Sequence, residues 1–249
     1  MSTLLDRHLM SRVRNRLGLP MAGHRDFERS LAGKSGLEIG GPSSFFTRRL
    51  PLYRLAHAVD QLNFSADTVW SRAESSKPLD SAPALARGRT IICDGTDLRQ
   101  LPDAHYDFVL SCHNLEHIAN PLRALAEWVR VIRPGGHLLL IVPSKAGNFD
   151  HRRPYTRFEH LLEDFERQVD EHDMTHLDEI LALHDLSLDP GAGDAEQFRA
   201  RSLRNFENRC LHHHVFDLPL VFATMKHFDL GVRRHATTPH EFVVLGQKP

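Results

Sequence analysis

From about residue 36 the chain alternates short apolar runs with stretches of helical periodicity. Five runs read as strands: "GLEIGG", "LAHAVDQ", "RTIICDGTD", "YDFVLSCHN" and "GHLLLIVP". Before the fifth, "PLRALAEWVRVI" sets Leu122, Leu125, Val129 and Ile132 on one helical face and stops at the "RPGG" that holds Pro134. Strands spaced by helical segments require right-handed crossovers and a parallel sheet. After Pro143 the rhythm breaks into a polar stretch with helical segments such as "RFEHLLEDFERQV" and "THLDEILALHDL". A helix and strand in "VFDLPLVFATMKHFDLGVRRHA" and a last strand, "HEFVVLGQK", close the chain. The expected fold is α/β: a doubly wound, mostly parallel, seven-stranded, Rossmann-like sheet with a helical insertion after strand five.

At the start of the chain Leu5, Leu9, Val13 and Leu17 recur every four residues, as on an amphipathic helix that packs on its own domain, supports a homodimer or lies on a membrane surface, the first two favoured. Arginines interrupt this segment where a signal peptide needs a continuous apolar core, and no run is long enough to span a membrane. Cys93, Cys112 and Cys210 are too far apart for a zinc ribbon or a disulfide framework, which points to the cytoplasm. A net charge of −1 over 249 residues gives no electrostatic case for nucleic acid as a partner.

In an open parallel sheet a ligand lies beyond the carboxyl ends of the strands, so the chemistry is sought there. Strand one delivers Glu38, then Gly40, Gly41 and Pro42, glycines that turn the chain and let a ligand approach the backbone. Strand two delivers Asp60 and Gln61, with the acid placed to grip ribose hydroxyls. Strand three delivers Asp94, Gly95, Asp97 and Leu98 near an adenine edge, and strand four delivers His113. A dinucleotide site wants G-x-G-x-x-G, but Pro42 and Phe45 stand where its second and third glycines belong. A phosphate about 4 Å from Glu38 would meet roughly 4 kcal/mol of repulsion at an effective dielectric of about 20. A cationic, phosphate-free nucleoside suits that acid better.

The segments "GLEIGGPSSFF", "AVDQ" and "CDGTDLRQLPDAHYDFVLSCHNLEHIANPLRALAEWVRVIRPGGHLLLIVP" resemble the class I S-adenosylmethionine-dependent methyltransferases. The likeness is to the broad bacterial group of the methyltransferase-11 type, with an L-E-H-I/V segment after strand four. It implies S-adenosylmethionine as cofactor, contacted by Glu38, Gly40, Asp60, Asp97 and Leu98 and flanked by His113. Asp94 and Asp97 both stand as partners for the adenine amine. Pro42 departs from the pattern, replacing a usual loop glycine. The expected division is an N-terminal helical segment over 1–30, a cofactor-binding core over 31–145, a helical acceptor lid over 146–211, and the closing helix and strands over 212–249.

Methyl transfer to a hydroxyl needs alignment and a base, most often His. The chain has 18 histidines, and His151, His176, His213 and His214 are the acceptor-facing candidates. Arg152, Arg153 and Arg157 fit an anionic acceptor. The stretch "DHRRPYTRFEHLLEDF" resembles an insertion of methyltransferases of surface-polysaccharide assembly, which favours a small-molecule or glycan acceptor. Asp173 and His176 have a spacing that can place two metal ligands on one helix face, but H-E-x-x-H is absent and no metal is expected. Strand four ends in "SCHN" rather than the tetrapeptide that holds a planar nitrogen, which argues against a protein or RNA substrate. The competing functions are an NAD-linked oxidoreductase and a non-catalytic cofactor-binding module.

Overall fold

A computed structural model describes residues 19–68 and 83–249. The amphipathic pattern of Leu5 to Leu17 lies outside the described residues, and with it the expected dimer surface. The first described helix is α1 (His24–Leu31), followed by β1 (Ser35–Ile39), the short α2 (Phe45–Arg48) and β2 (Ala58–Asn63). Then come α3 (Pro83–Arg87), β3 (Thr90–Ile92), β4 (Tyr106–Cys112), α4 (Pro121–Val131) and β5 (Ile132–Pro143). Before β6 stand α5 (Phe158–Glu166), α6 (Leu177–Leu183), α7 (Ala195–Ser202), α8 (Asn205–Asn208) and α9 (Leu218–His227). The chain closes with β6 (Gly231–Thr237) and β7 (Glu241–Gln247).

The seven strands form one sheet in the order β3-β2-β1-β4-β5-β7-β6. Strands β1 to β5 are parallel, whereas β7 runs antiparallel to both β5 and β6. The sheet is therefore mixed. Both faces are covered, which explains the unbroken apolar run of β5. Leu138, Leu140 and Val142 join a core with Leu37, Ile39 and Trp128 of α4, while Leu139 and Ile141 join Phe46, Val59 and Phe108 on the opposite face. Asn120 caps α4 by accepting the amide of Arg123, with Pro121 in the first turn.

Two strand boundaries differ from the sequence reading. "RPGG" does not separate α4 from β5: the strand starts at Ile132, and the ladder with β4 jumps from Tyr106↔Ile132 to Phe108↔His137. Gly135, at φ 75°, lets the chain bulge there without leaving the sheet. Strand β3 is only Thr90–Ile92, because Asp94 already turns the chain by accepting the amide of Thr96. Helices α6 and α7 carry a small core around Ile180, Ala192, Phe198 and Leu211, while α5 and α9 pack on the main core through Leu161, Leu220 and Met225. Among the described residues no helix is long and apolar enough to cross a membrane.

Candidate active site

The carboxyl ends of β1, β2 and β4 open onto a cavity of about 440 Å³. Gly40 leaves β1 at φ 73°, and a Cβ there would sit 2.4 Å from Nδ2 of Asn114. A Cβ on Gly41 would sit 2.3 Å from the carboxyl carbon of Glu38. Neither position accepts a side chain, and the bare backbone of this loop forms one wall of the cavity. Glu38 is fully buried beneath it, accepting the Ser43 amide at 3.0 Å and the Tyr53 hydroxyl. Asn63, the last residue of β2, donates to the Gly41 carbonyl at 2.8 Å and so fixes the loop from the neighbouring strand.

Gly40, Gly41, Pro42, Asp94, Gly95 and His113 of the expected cofactor set line this cavity. Five others do not, each for a structural reason. Glu38 is turned under the loop rather than into the pocket. Asp60 lies three residues before the end of β2, where it accepts from the Arg89 amide at 3.0 Å and the Tyr106 hydroxyl at 2.7 Å. Gln61 stands beside it in mid-strand, paired in register with Glu38. Asp97 holds the exposed Arg99 at 2.6 Å, outside the main cavity. Leu98 is in the core, its amide donating to Glu127 at 2.7 Å. The strand-end positions sought in the sequence are occupied instead by Asn63 and Phe64.

Asp94 is engaged on both oxygens. It accepts the Thr96 amide and hydroxyl at 2.8 Å each and receives Arg209 at 3.0 Å. Arg209 also reaches Glu171 at 3.2 Å and stacks over Phe64 and Phe206. One guanidinium thereby links the segment after β5 to the carboxyl end of β3 across the cavity edge.

The loop after β4 adds two groups that the sequence reading did not select. Glu116 is 1 % exposed and lines the cavity, and neither of its oxygens makes a hydrogen bond. Burial opposes its ionisation, but His113 beside it outweighs that and holds the carboxyl below its usual range. The Nδ1 of His113 is 3.6 Å away. His117 is pushed down to about 3, by burial first and by His212 next, so it stays neutral at pH 7.

The four acceptor-facing histidines do not reach the cavity. His151 pairs with Asp185 at 2.9 Å on the surface. His176 stands at the start of α6 without capping it and lies 2.9 Å from His160. His213 is buried against Asn205 at 3.0 Å, and His214 against the Ala119 carbonyl at 3.1 Å. Burial pushes His176 and His213 down to about 4, and His214 further. The member of the triple run that lines the cavity is His212. Its Nδ1 lies 2.5 Å from Asp150, whose other oxygen is 3.0 Å from Arg153. Burial alone would raise Asp150, but His212 and Arg153 hold it down to about 2. Arg153, fully buried and also bound to the His212 and His213 carbonyls, fixes this pair rather than awaiting an anionic acceptor. No sequence spacing links Asp150 to His212, 62 positions apart.

Residues 37–140 match the family described as the methyltransferase domain. The fold resembles that of a SAM-dependent methyltransferase from Aquifex aeolicus, with a TM-score of 0.52, 14 % identity, and 94 % of this chain and 93 % of that one covered. An S-adenosylmethionine-dependent methyltransferase from Mesorhizobium loti gives 0.52 and 15 %, covering 90 % and 95 %. A SAM-dependent methyltransferase from Methanosarcina mazei gives 0.51 and 13 %, covering 92 % and 99 %. No curated protein matches the chain significantly in sequence. Nothing in these comparisons favours an oxidoreductase. The solved structures share the fold with this chain, and residues 37–140 match a methyltransferase domain.

Proposed function

We propose that the protein methylates a hydroxyl oxygen of a small-molecule, sugar-type acceptor, with His212 as the base. The supporting observation is the Arg153–Asp150–His212 chain ending on the wall of the cavity at the carboxyl ends of the strands. Two features fit the cofactor. The Gly40 and Gly41 backbone offers a cradle that any Cβ would fill. Glu116 is a buried carboxylate without a hydrogen bond on the same cavity, complementary to a cationic amino-acid moiety or sulfonium.

S-adenosylmethionine held there would supply an electrophilic methyl group on a sulfonium that is a good leaving group. The protein's part is alignment, exclusion of water and removal of one proton. Asp94, Gly95, Asn63 and Phe64, which line the cavity, would hold the nucleoside, and Glu116 the cationic part. His212 takes the hydroxyl proton on Nε2, and Asp150 stabilises the imidazolium that results. His117, 4.5 Å from His212 by ring centroids, packs edge-on against it and limits its rotation. A cavity of about 440 Å³ is in the range of a small-molecule site, which favours a compact acceptor over a macromolecular surface.

The test is release of S-adenosylhomocysteine in the presence of a panel of sugars and other hydroxylic small molecules. His212→Ala should lower turnover by about 10²–10⁴-fold while leaving S-adenosylmethionine affinity within about threefold of wild type. Full turnover in that variant would remove His212 from the chemistry.

A further inference from the structure

Helix α5 carries His160 and Asp164 one turn apart, so both project from one face. His176 comes from the start of α6 and His214 from the stretch before α9. One nitrogen of each ring and one oxygen of Asp164 all lie within 4.8 Å of one another. Individual separations are 2.9 Å between the Nε2 atoms of His160 and His176, and 3.3 Å from His160 Nε2 to Asp164 Oδ2. His214 Nε2, 3.7 Å from the same oxygen, donates to the Ala119 carbonyl at 3.1 Å, while its Nδ1 makes no hydrogen bond. Ligand atoms around a tetrahedral ion with bonds of about 2.0–2.1 Å stand roughly 3.3 Å apart, so the set needs little movement to close.

The protein alone leaves this cluster unsatisfied. Asp164 is 2 % exposed and its Oδ2 makes no hydrogen bond; His214 is 1 % exposed and its Nδ1 makes none. Two imidazole nitrogens at 2.9 Å repel unless a proton or a cation stands between them. Around the cluster, the bond from His214 Nε2 to the Ala119 carbonyl is joined by one from Asn120 Nδ2, which holds the backbone carbonyl of Asp164 at 3.0 Å.

We infer that His160, Asp164, His176 and His214 bind one divalent transition-metal ion, Zn²⁺ by the chemistry of three imidazoles and a carboxylate. Four protein ligands fill a tetrahedral shell, which makes the site structural. None of the four lines the active-site cavity. The ion joins α5 and α6 to residue 214, two positions from His212. It ties α6, whose Ile180 belongs to a small separate core, to α5, whose Leu161 belongs to the main core. The sequence pointed away from a metal because its ligands come from three segments and no two of them form a familiar motif.

The test is Co²⁺ titration of the full chain after chelation, followed by visible absorption and by competition with Zn²⁺. The expected result is one Co²⁺ per chain with tetrahedral absorption bands, displaced by Zn²⁺. His160→Ala and His176→Ala should each weaken binding by roughly 100-fold or more. His151→Ala, on the surface, should leave it unchanged. Asp164→Asn serves as a near-isosteric ligand variant if an alanine variant does not fold, and it should lose the bands as well. The inference is overturned if the wild type shows no tetrahedral bands. It is equally overturned if bands survive in the ligand variants and disappear only in His212→Ala, which would place the ion at Glu116, His117 and His212. None of these readouts depends on methyl transfer.

Discussion

Two acids with similar sequence contexts do opposite jobs. Asp60 spends its oxygens on Arg89 and Tyr106, whereas Glu116 keeps both free of hydrogen bonds on the cavity wall. Asp60→Ala is therefore expected to lower the melting temperature by several degrees, from loss of charge-assisted bonds of about 1.5–3 kcal/mol in total. S-adenosylmethionine affinity, measured by calorimetry, should stay within about threefold. Tyr53→Phe removes the hydroxyl that meets both Glu38 and the Ser43 amide. The expected cost is about 1–3 kcal/mol in urea unfolding, because the buried carboxylate loses a donor. These roles were hard to read in sequence for a definite reason. An acid near a strand end looks the same whether the strand stops there or runs three residues further, as "AVDQLN" does.

At the level of elements, the strands and α4 were legible because both faces of the sheet are buried and apolar runs mark them. The order of the last two strands and the bulge at Gly135 were not, since pairing partners are set by distant residues. The histidine-rich segments were the least legible. In "HHH" neighbouring side chains leave the backbone in different directions, and only the packing of α5, α6 and α8 decides that His212 meets the cavity while His213 and His214 meet other partners. Arg209 belongs to this scale because it ties α8 to β3 and Glu171. Arg209→Ala should raise hydrogen exchange across residues 203–212 and weaken cofactor affinity about tenfold. Unchanged exchange there would mean that the segment is held without it.

For the whole molecule, the buried histidines set the response to acid. His117 is pushed down to about 3 and His137 to about 4, each chiefly by burial. In the unfolded chain a histidine titrates near 6.5, so between that value and the folded one the unfolded state binds more protons. Stability from these two groups is complete above about pH 6.5 and is lost as pH falls, through about 4 for His137 and about 3 for His117. Each contributes a slope of up to about 1.4 kcal/mol per pH unit. Asp150 adds to the loss below the ordinary carboxylate range, down to about 2. Urea midpoints measured from pH 8 to pH 4 should be level at first and then fall below about 6.5, and His137→Gln should flatten the fall.

The central claim is that Glu116 receives the cationic part of S-adenosylmethionine in the cavity beside Gly40 and Gly41. Calorimetric titration of wild type and Glu116→Gln with S-adenosylmethionine and, separately, NAD tests it most directly. The wild type should bind S-adenosylmethionine, the variant should bind it about tenfold or more weakly, and neither should bind NAD. Equal S-adenosylmethionine affinity in the two proteins, or NAD binding to the wild type, would contradict it.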